Sequence, residues 1–189
     1  FSMDELIKEF TIERVGKSGS RFDPDKTKWF NHQYIMKKSA EEVAELFRKD
    51  LDASGIDYSK FDIVRICELM KERISFIHEM WDETRFFFET PTQFDEKFKK
   101  KACKEDTAEV LETLITILDK CPDFKPETTE GAVKAWIEGN EWGFGKVMSP
   151  FRLAIVGEGK GPSVFDMIEV IGKAETLKRI QNLVKELKA

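Results

Sequence analysis

Between residues 107 and 118 the apolar side chains Val110, Leu111, Leu114, Ile115 and Leu118 recur every three or four positions, the mark of one buried face on an α-helix. The same period returns at Val43, Leu46, Phe47 and Leu51, and again at Leu177, Ile180, Val184 and Leu187. The two-residue alternation of a half-buried strand is almost absent. A chain patterned this way buries its apolar surface helix against helix. Its expected fold class is therefore all-α, roughly nine helices in two consecutive bundles.

Helix starts and stops divide the chain further. Ser2 with Glu5 and Ser39 with Glu42 are capping boxes. Asp23-Pro24 is a cap followed by a proline, with Phe22 as a staple toward Trp29, Phe30, Tyr34 and Ile35, and Trp29 as a core residue. Between these starts, residues 11–15 read as extended and 16–20 as a loop. The helical pattern over residues 58–89 holds neither Gly nor Pro, and its length predicts one long helix or two with a bend near Ser75. Thr90-Pro91-Thr92 ends it, and Thr128 reads as the cap of the helix carrying Val133 and Ile137. The expected division is a short segment over 1–36, a first bundle over 37–90 and a second over 91–189. The helix at residues 2–10 buries little by itself, so the chain is expected to be a piece of a longer protein.

Composition narrows the function classes. The chain has 189 residues, 35% of them charged, and a net charge of −5, which argues against indiscriminate coating of nucleic acid but not against a local basic footprint. No apolar run approaches the roughly 20 residues that span a bilayer, and no leader pattern opens the chain, so a cytoplasmic location without membrane contact is expected. Cys67, Cys103 and Cys121 lack metal spacing and only His32 and His78 could join them, so free thiols are expected and no metal site. Phosphate-loop, nucleophile-elbow and zinc-protease motifs are all missing. The lysines at 97, 99, 100, 101 and 104 could track a phosphate backbone, although a basic helix face is more often simply solvated.

Residues 146–172 stand apart. Ser149-Pro150 reads as a helix start, the apolar run from Phe151 to Val156 is interrupted only by Arg152, and Gly157, Gly159 and Gly161 make a turn before Pro162-Ser163 opens a second helix. Folded back, that helix start and Arg152 could hold a phosphate or a base. Spacing alone equally describes a helical hairpin with a solvated arginine.

Two segments together carry a resemblance. Phe22-Asp23-Pro24-Asp25-Lys26-Thr27-Lys28-Trp29-Phe30-Asn31, followed by Tyr34-Ile35, resembles the Phe-Asp-x-x-Lys-Leu-x-Trp-x-Asn-x-x-Tyr-Ile segment of bacterial-type glutamyl-tRNA synthetases. Ser149-Pro150-Phe151-Arg152-Leu153-Ala154, with Gly157, and then Gly161-Pro162-Ser163-Val164-Phe165 and Ile171-Gly172-Lys173, resembles the Pro-Leu-Arg-x-Ala-x-Thr-Gly and Gly-Pro-x-Leu-Phe elements of the same class I family. Phe151 and Val156 replace the usual leucine and threonine, which leaves a contact near Val156 in doubt.

The resemblance implies the tRNA-binding half of such an enzyme, a stem-contact segment followed by anticodon-binding bundles. It places anticodon contacts on Arg152, Pro162, Ser163, Val164, Phe165 and Arg73, with Phe165 either offering a stacking face or serving equally as a core residue of its helix, and stem contacts on Lys26 and Lys28. It implies tRNA(Glu) as partner and a catalytic domain preceding Phe1, which would join glutamate to that tRNA with ATP and magnesium. The His-x-Gly-His and Lys-x-Ser-Lys signatures of that domain do not occur, so this piece is expected to be monomeric, free of cofactors and inactive alone. Arg73 leans toward an enzyme that separates glutamate from glutamine tRNA. The other reading is an all-helical protein-interaction scaffold without RNA.

Overall fold

The computed structural model describes residues 1–16, 19 and 22–189, so most of the loop expected over 16–20 lies outside the described residues. Among the described residues it has eleven α-helices and no strand: α1 (Met3–Glu9), α2 (Pro24–Lys37), α3 (Ala40–Ala53), α4 (Ile63–Met70), α5 (Met80–Phe88), α6 (Glu96–Ala102), α7 (Thr107–Asp119), α8 (Pro126–Gly139), α9 (Phe144–Val156), α10 (Val164–Ile171) and α11 (Lys173–Lys188). Both capping boxes form, Ser2 with Glu5 on α1 and Ser39 with Glu42 on α3. The all-α expectation is met; residues 12–14, read as extended, form a single 3₁₀ turn instead.

The pattern over 58–89 resolves into α4 and α5, separated where Ile74 turns extended at φ −109°. The break lies beside Ser75 as expected. Its polar backbone is satisfied from outside: Asn31 donates to the Ser75 carbonyl, His32 Nδ1 donates to that of Ile74 at 2.7 Å, and the Glu79 carboxylate accepts from the Ser75 and Phe76 amides. Those partners satisfy four of the backbone groups that the break takes out of the helical ladder. Burial of Ile74 then favours the extended form.

Three expectations need correction. Ser149-Pro150 does not start a helix; Pro150 lies inside α9, which begins at Phe144 after Gly143. A proline there costs about 3 kcal/mol, but Val147, Pro150 and Phe151 are all buried, and their packing outweighs the local penalty. Thr128 does not cap α8, which begins at Pro126 after Lys125. Trp29 is not core: it is 56% exposed, Phe22 is 74% exposed and staples nothing, and Ile35 is the sole buried residue of α2. Trp29 and Phe30 stack edge to face on the open side of that helix.

α3, α4 and α5 pack around Phe47, Ile66 and Met70, while α7, α9 and α11 pack around Leu111, Leu114, Phe151 and Ile180. α10 bridges the two groups by touching α4 and α5 on one side and α8, α9 and α11 on the other. The buried residues on either side of residue 90 form one continuous apolar cluster. Polar links reinforce that seam: Arg65 of α4 pairs with Asp166 at 3.1 Å and Glu169 at 3.3 Å on α10, and Thr90 donates to Glu175.

Candidate nucleic-acid interface

α9 ends on Gly157, whose φ of +86° is the left-handed conformation that closes a helix and favours glycine. A side chain there would also crowd the chain opposite, with a Cβ 3.0 Å from the Gln93 carbonyl oxygen and 3.2 Å from the Pro91 Cβ. The chain runs through Gly159 and Gly161, the latter at φ +100°, into Ser163 before α10.

Arg152, one helical turn before the end of α9, holds this turn shut. Its Nη1 donates to three carbonyls in succession, Lys160 at 3.0 Å, Gly161 at 3.1 Å and Pro162 at 2.7 Å. Three N–H donors remain on Nε and Nη2; these have no protein acceptor among the described residues and are not sealed from solvent. One edge of the guanidinium therefore builds the turn, and the other is free to donate outward. Burial and then the neighbouring Arg73 cation lower the Arg152 pKa, yet an arginine stays charged at neutral pH.

Arg73 is the other arginine expected at the site. Arg73 is exposed in the 3₁₀ turn after α4, just before the break anchored by Asn31 and His32. Neither Arg73 nor Arg152 has a carboxylate within 4.0 Å among the described residues. Two cations, each without a carboxylate partner, raise the local potential and favour an anion. Lys160 is different: it bonds the Asp82 carbonyl and lies 3.1 Å from Glu158 and 3.7 Å from Glu83. A cleft of about 440 Å³ adjoins the turn, lined among others by Arg85, Thr90, Gln93, Glu158 and Lys160.

The remaining expected site residues separate into groups. Ser163 is exposed at the mouth of the turn, and Pro162 is buried with its carbonyl on Arg152. Val164 and Phe165 are 1% and 3% exposed. The Phe165 ring lies edge-on to Phe151 at 6.2 Å and is buried, so of its two readings the structure fits core support and not stacking. Lys26 and Lys28 are exposed on α2; Lys28 lies 3.7 Å from Glu79, and Lys26 sits over the Phe30 ring.

Arg179 was not singled out from the sequence and is 1% exposed. Its Nη1 donates to the Phe86 carbonyl at 2.6 Å and the Ile155 carbonyl at 2.8 Å, and its Nε to Glu175 at 3.0 Å. Those carbonyls belong to the last turns of α5 and α9, where backbone acceptors have no helical partner and the negative ends of the helix dipoles converge. The signal was legible: Arg179 falls on the same face of α11 as Thr176, Ile180 and Leu183, all buried.

Comparison with known proteins gives the same picture. Residues 33–184 match the anticodon binding domain family. A glutamate–tRNA ligase of Phocaeicola vulgatus is 48% identical over 187 residues, 99% of this chain and 37% of the relative, and one from Flavobacterium johnsoniae is 45% identical with the same coverage. The crystal structure of a glutamate tRNA ligase from Elizabethkingia meningosepticum in complex with its amino acid superposes with a TM-score of 0.89 at 41% identity, over 99% of this chain and 37% of that one. The chain thus spans rather more than a third of the length of these relatives. With most of its length matched and its all-helical architecture shared, the chain belongs to the anticodon binding domain family.

Proposed function

We propose that the chain is a tRNA recognition module, reading the anticodon at the Arg152 turn, within a ligase that joins glutamate to tRNA(Glu). The observation that carries this reading is the open edge of Arg152, whose Nε and Nη2 donors have no protein acceptor among the described residues at a turn that Nη1 holds shut, with the exposed Arg73 as a second guanidinium free of carboxylates. Anticodon bases can be splayed out and met by arginine, which offers both paired donors to a base edge and a planar face for stacking. With Phe165 sealed in the core, the guanidiniums themselves supply that face. Ser163 adds an exposed hydroxyl at the same mouth.

Lys26 and Lys28 on α2 are assigned to the backbone of the inner stem, a positioning role without base readout. The exposed apolar residues on and beside α1 and α2, including Leu6, Ile7, Phe10 and Trp29, suit packing against the remainder of a ligase of the relatives' length. ATP, magnesium and the chemistry of ligation are assigned to that remainder and not to any residue of this chain. The test is a gel-shift comparison of a tRNA(Glu) transcript with one whose anticodon has been exchanged. The reading predicts weaker binding of the exchanged transcript by roughly 1–3 kcal/mol per altered base. Equal affinity for the two would overturn it.

A further inference from the structure

α6 carries a one-sided run of charge. Taking about 100° per residue, Lys97, Lys100 and Lys101 of α6 fall within roughly 100° of arc, while Phe98, Ala102 and Lys99 take the inner side, and Lys104 follows just past the extended Cys103 that ends the helix. All four are exposed, and none has a carboxylate within 4.0 Å among the described residues. The acids nearby are engaged elsewhere or stand apart: Glu96 and Glu186 face Lys99, Asp95 caps the helix through the Phe98 amide, Asp106 takes Lys146 at 2.6 Å, and Glu105 pairs with none of the four. Elsewhere, lysines 28, 38, 134, 146, 160, 173, 178 and 188 each lie within 4.0 Å of a carboxylate, and the other described lysines without such a partner are spread over the chain instead of gathered on one short segment. Like charges three and four residues apart repel and weaken a helix. α6 has only seven residues over which to absorb that repulsion.

The stripe is also fixed relative to the Arg152 turn. The Asp95 amide donates to the Gly157 carbonyl at 2.8 Å, and the Phe98 ring lies so close to Gly159 that a Cβ there would approach it to 2.9 Å. The helix is therefore docked at two points onto the turn that Arg152 closes, with Lys97 and Lys101 flanking the docked ring. An exposed row of unpaired ammonium groups suits a regularly spaced polyanion, each group acting as a point charge on a phosphate.

We propose that Lys97, Lys100, Lys101 and Lys104 form a rail for the phosphate backbone of the RNA strand that passes through the Arg152 turn. The inference rests on the anticodon-reading function proposed above. Contacts of this kind position the strand and carry no sequence information. Loss of the rail therefore weakens binding to every tRNA alike and leaves anticodon preference untouched.

The experiment measures tRNA(Glu) binding by the 189-residue chain as fluorescence anisotropy from about 50 to about 200 mM salt, for the wild type and for a variant carrying Lys97→Gln, Lys100→Gln, Lys101→Gln and Lys104→Gln. Four phosphate contacts at about 0.7–0.9 released counterions each predict a slope of log K against log salt that is shallower by about 3. A charge-matched control, with glutamine at Lys49, Lys120, Lys125 and Lys185 on scattered parts of the surface, should leave the slope within about 1 of the wild type. If far-UV circular dichroism shows the quadruple variant losing helix, the four single variants replace it, each expected to lower the slope by about 1. A slope unchanged by the α6 substitutions, or changed equally by the control, overturns the rail while leaving anticodon reading intact. A shallower slope in a protein without anticodon preference supports the rail and overturns the anticodon reading; a wild type that does not bind tRNA overturns both.

Discussion

Arg179 offers the sharpest test of how α5, α9 and α11 are held together, because two of its three partners are backbone carbonyls that no compensating mutation can remove. Replacing Arg179 with alanine strands the Phe86 and Ile155 carbonyls at the ends of α5 and α9 and leaves the Glu175 carboxylate with fewer donors. Each buried orphan acceptor costs about 1–3 kcal/mol. Release of the buried guanidinium offsets part of this, since burial alone lowers the Arg179 pKa. Losing one partner of a buried charged cluster is typically worth 3–5 kcal/mol, and Arg179→Ala is expected in that range. Arg179→Met separates the contributions: it restores most of the apolar volume but none of the donors, so it should still lose about 2–4 kcal/mol. Urea unfolding followed by far-UV circular dichroism measures both, with the m-value checking that the unfolded states are comparable.

Acid titration adds a second readout on the same cluster. Burial pushes the Glu175 carboxyl up, but hydrogen bonds from Thr90 and Arg179 outweigh it and bring its pKa below the ordinary value of 4.5. A lowered carboxylate stabilises fully above its unfolded pKa and loses that contribution as pH falls through its folded one. The gap between wild type and Arg179→Met should therefore be constant from neutral pH down to about 5 and narrow below 4.5. A methionine variant within about 1 kcal/mol of wild type at pH 7 would refute the reasoning, since it would mean that water or backbone movement satisfies the two carbonyls at little cost.

Two smaller predictions concern the turn and the core. Gly157→Ala forces a left-handed alanine, worth about 1–2 kcal/mol before its Cβ meets the Gln93 carbonyl, and should lower Tm by about 2–8 °C in a chain of this size; a change below about 1 °C in a thermal melt would contradict it. Burial pushes the Cys67 thiol up to about 12, whereas Cys103 and Cys121 are only partly covered and shifted upward less far. Alkylation at pH 8 read by mass spectrometry should spare Cys67 in the native protein and label it in denaturant. Labelling at equal rates in both states would show that the α4 core opens readily.

Where local chemistry decides, the sequence was readable. Serine caps with a glutamate three residues on became helix starts at α1 and α3, and the apolar period at 107–118 became α7. Where packing decides, it was not. Ser149-Pro150 has every local mark of a helix start, yet α9 runs through it because Val147 on the preceding turn is buried. Phe165 sits in a segment that resembles an anticodon-contacting element, and nothing in its own residue type distinguishes a stacking ring from one packed on Phe151. The charge of Arg73 bears on Arg152 across 79 residues of sequence, a relation no periodicity encodes. Trp29 erred the other way: apolar residues on α2 suggested core, but they spread around the helix instead of forming one face.

The central claim is that the open edge of Arg152 touches the anticodon, and the most direct measurement is a protein–RNA double-mutant cycle. Wild type and Arg152→Ala are each titrated with the tRNA(Glu) transcript and with transcripts altered at one anticodon base at a time. The account predicts that at one position the two changes are non-additive by about 1–3 kcal/mol, because the arginine's donors and that base edge are lost together. Additivity within about 0.5 kcal/mol at all three positions would contradict it and reduce Arg152 to the clamp on the Lys160, Gly161 and Pro162 carbonyls.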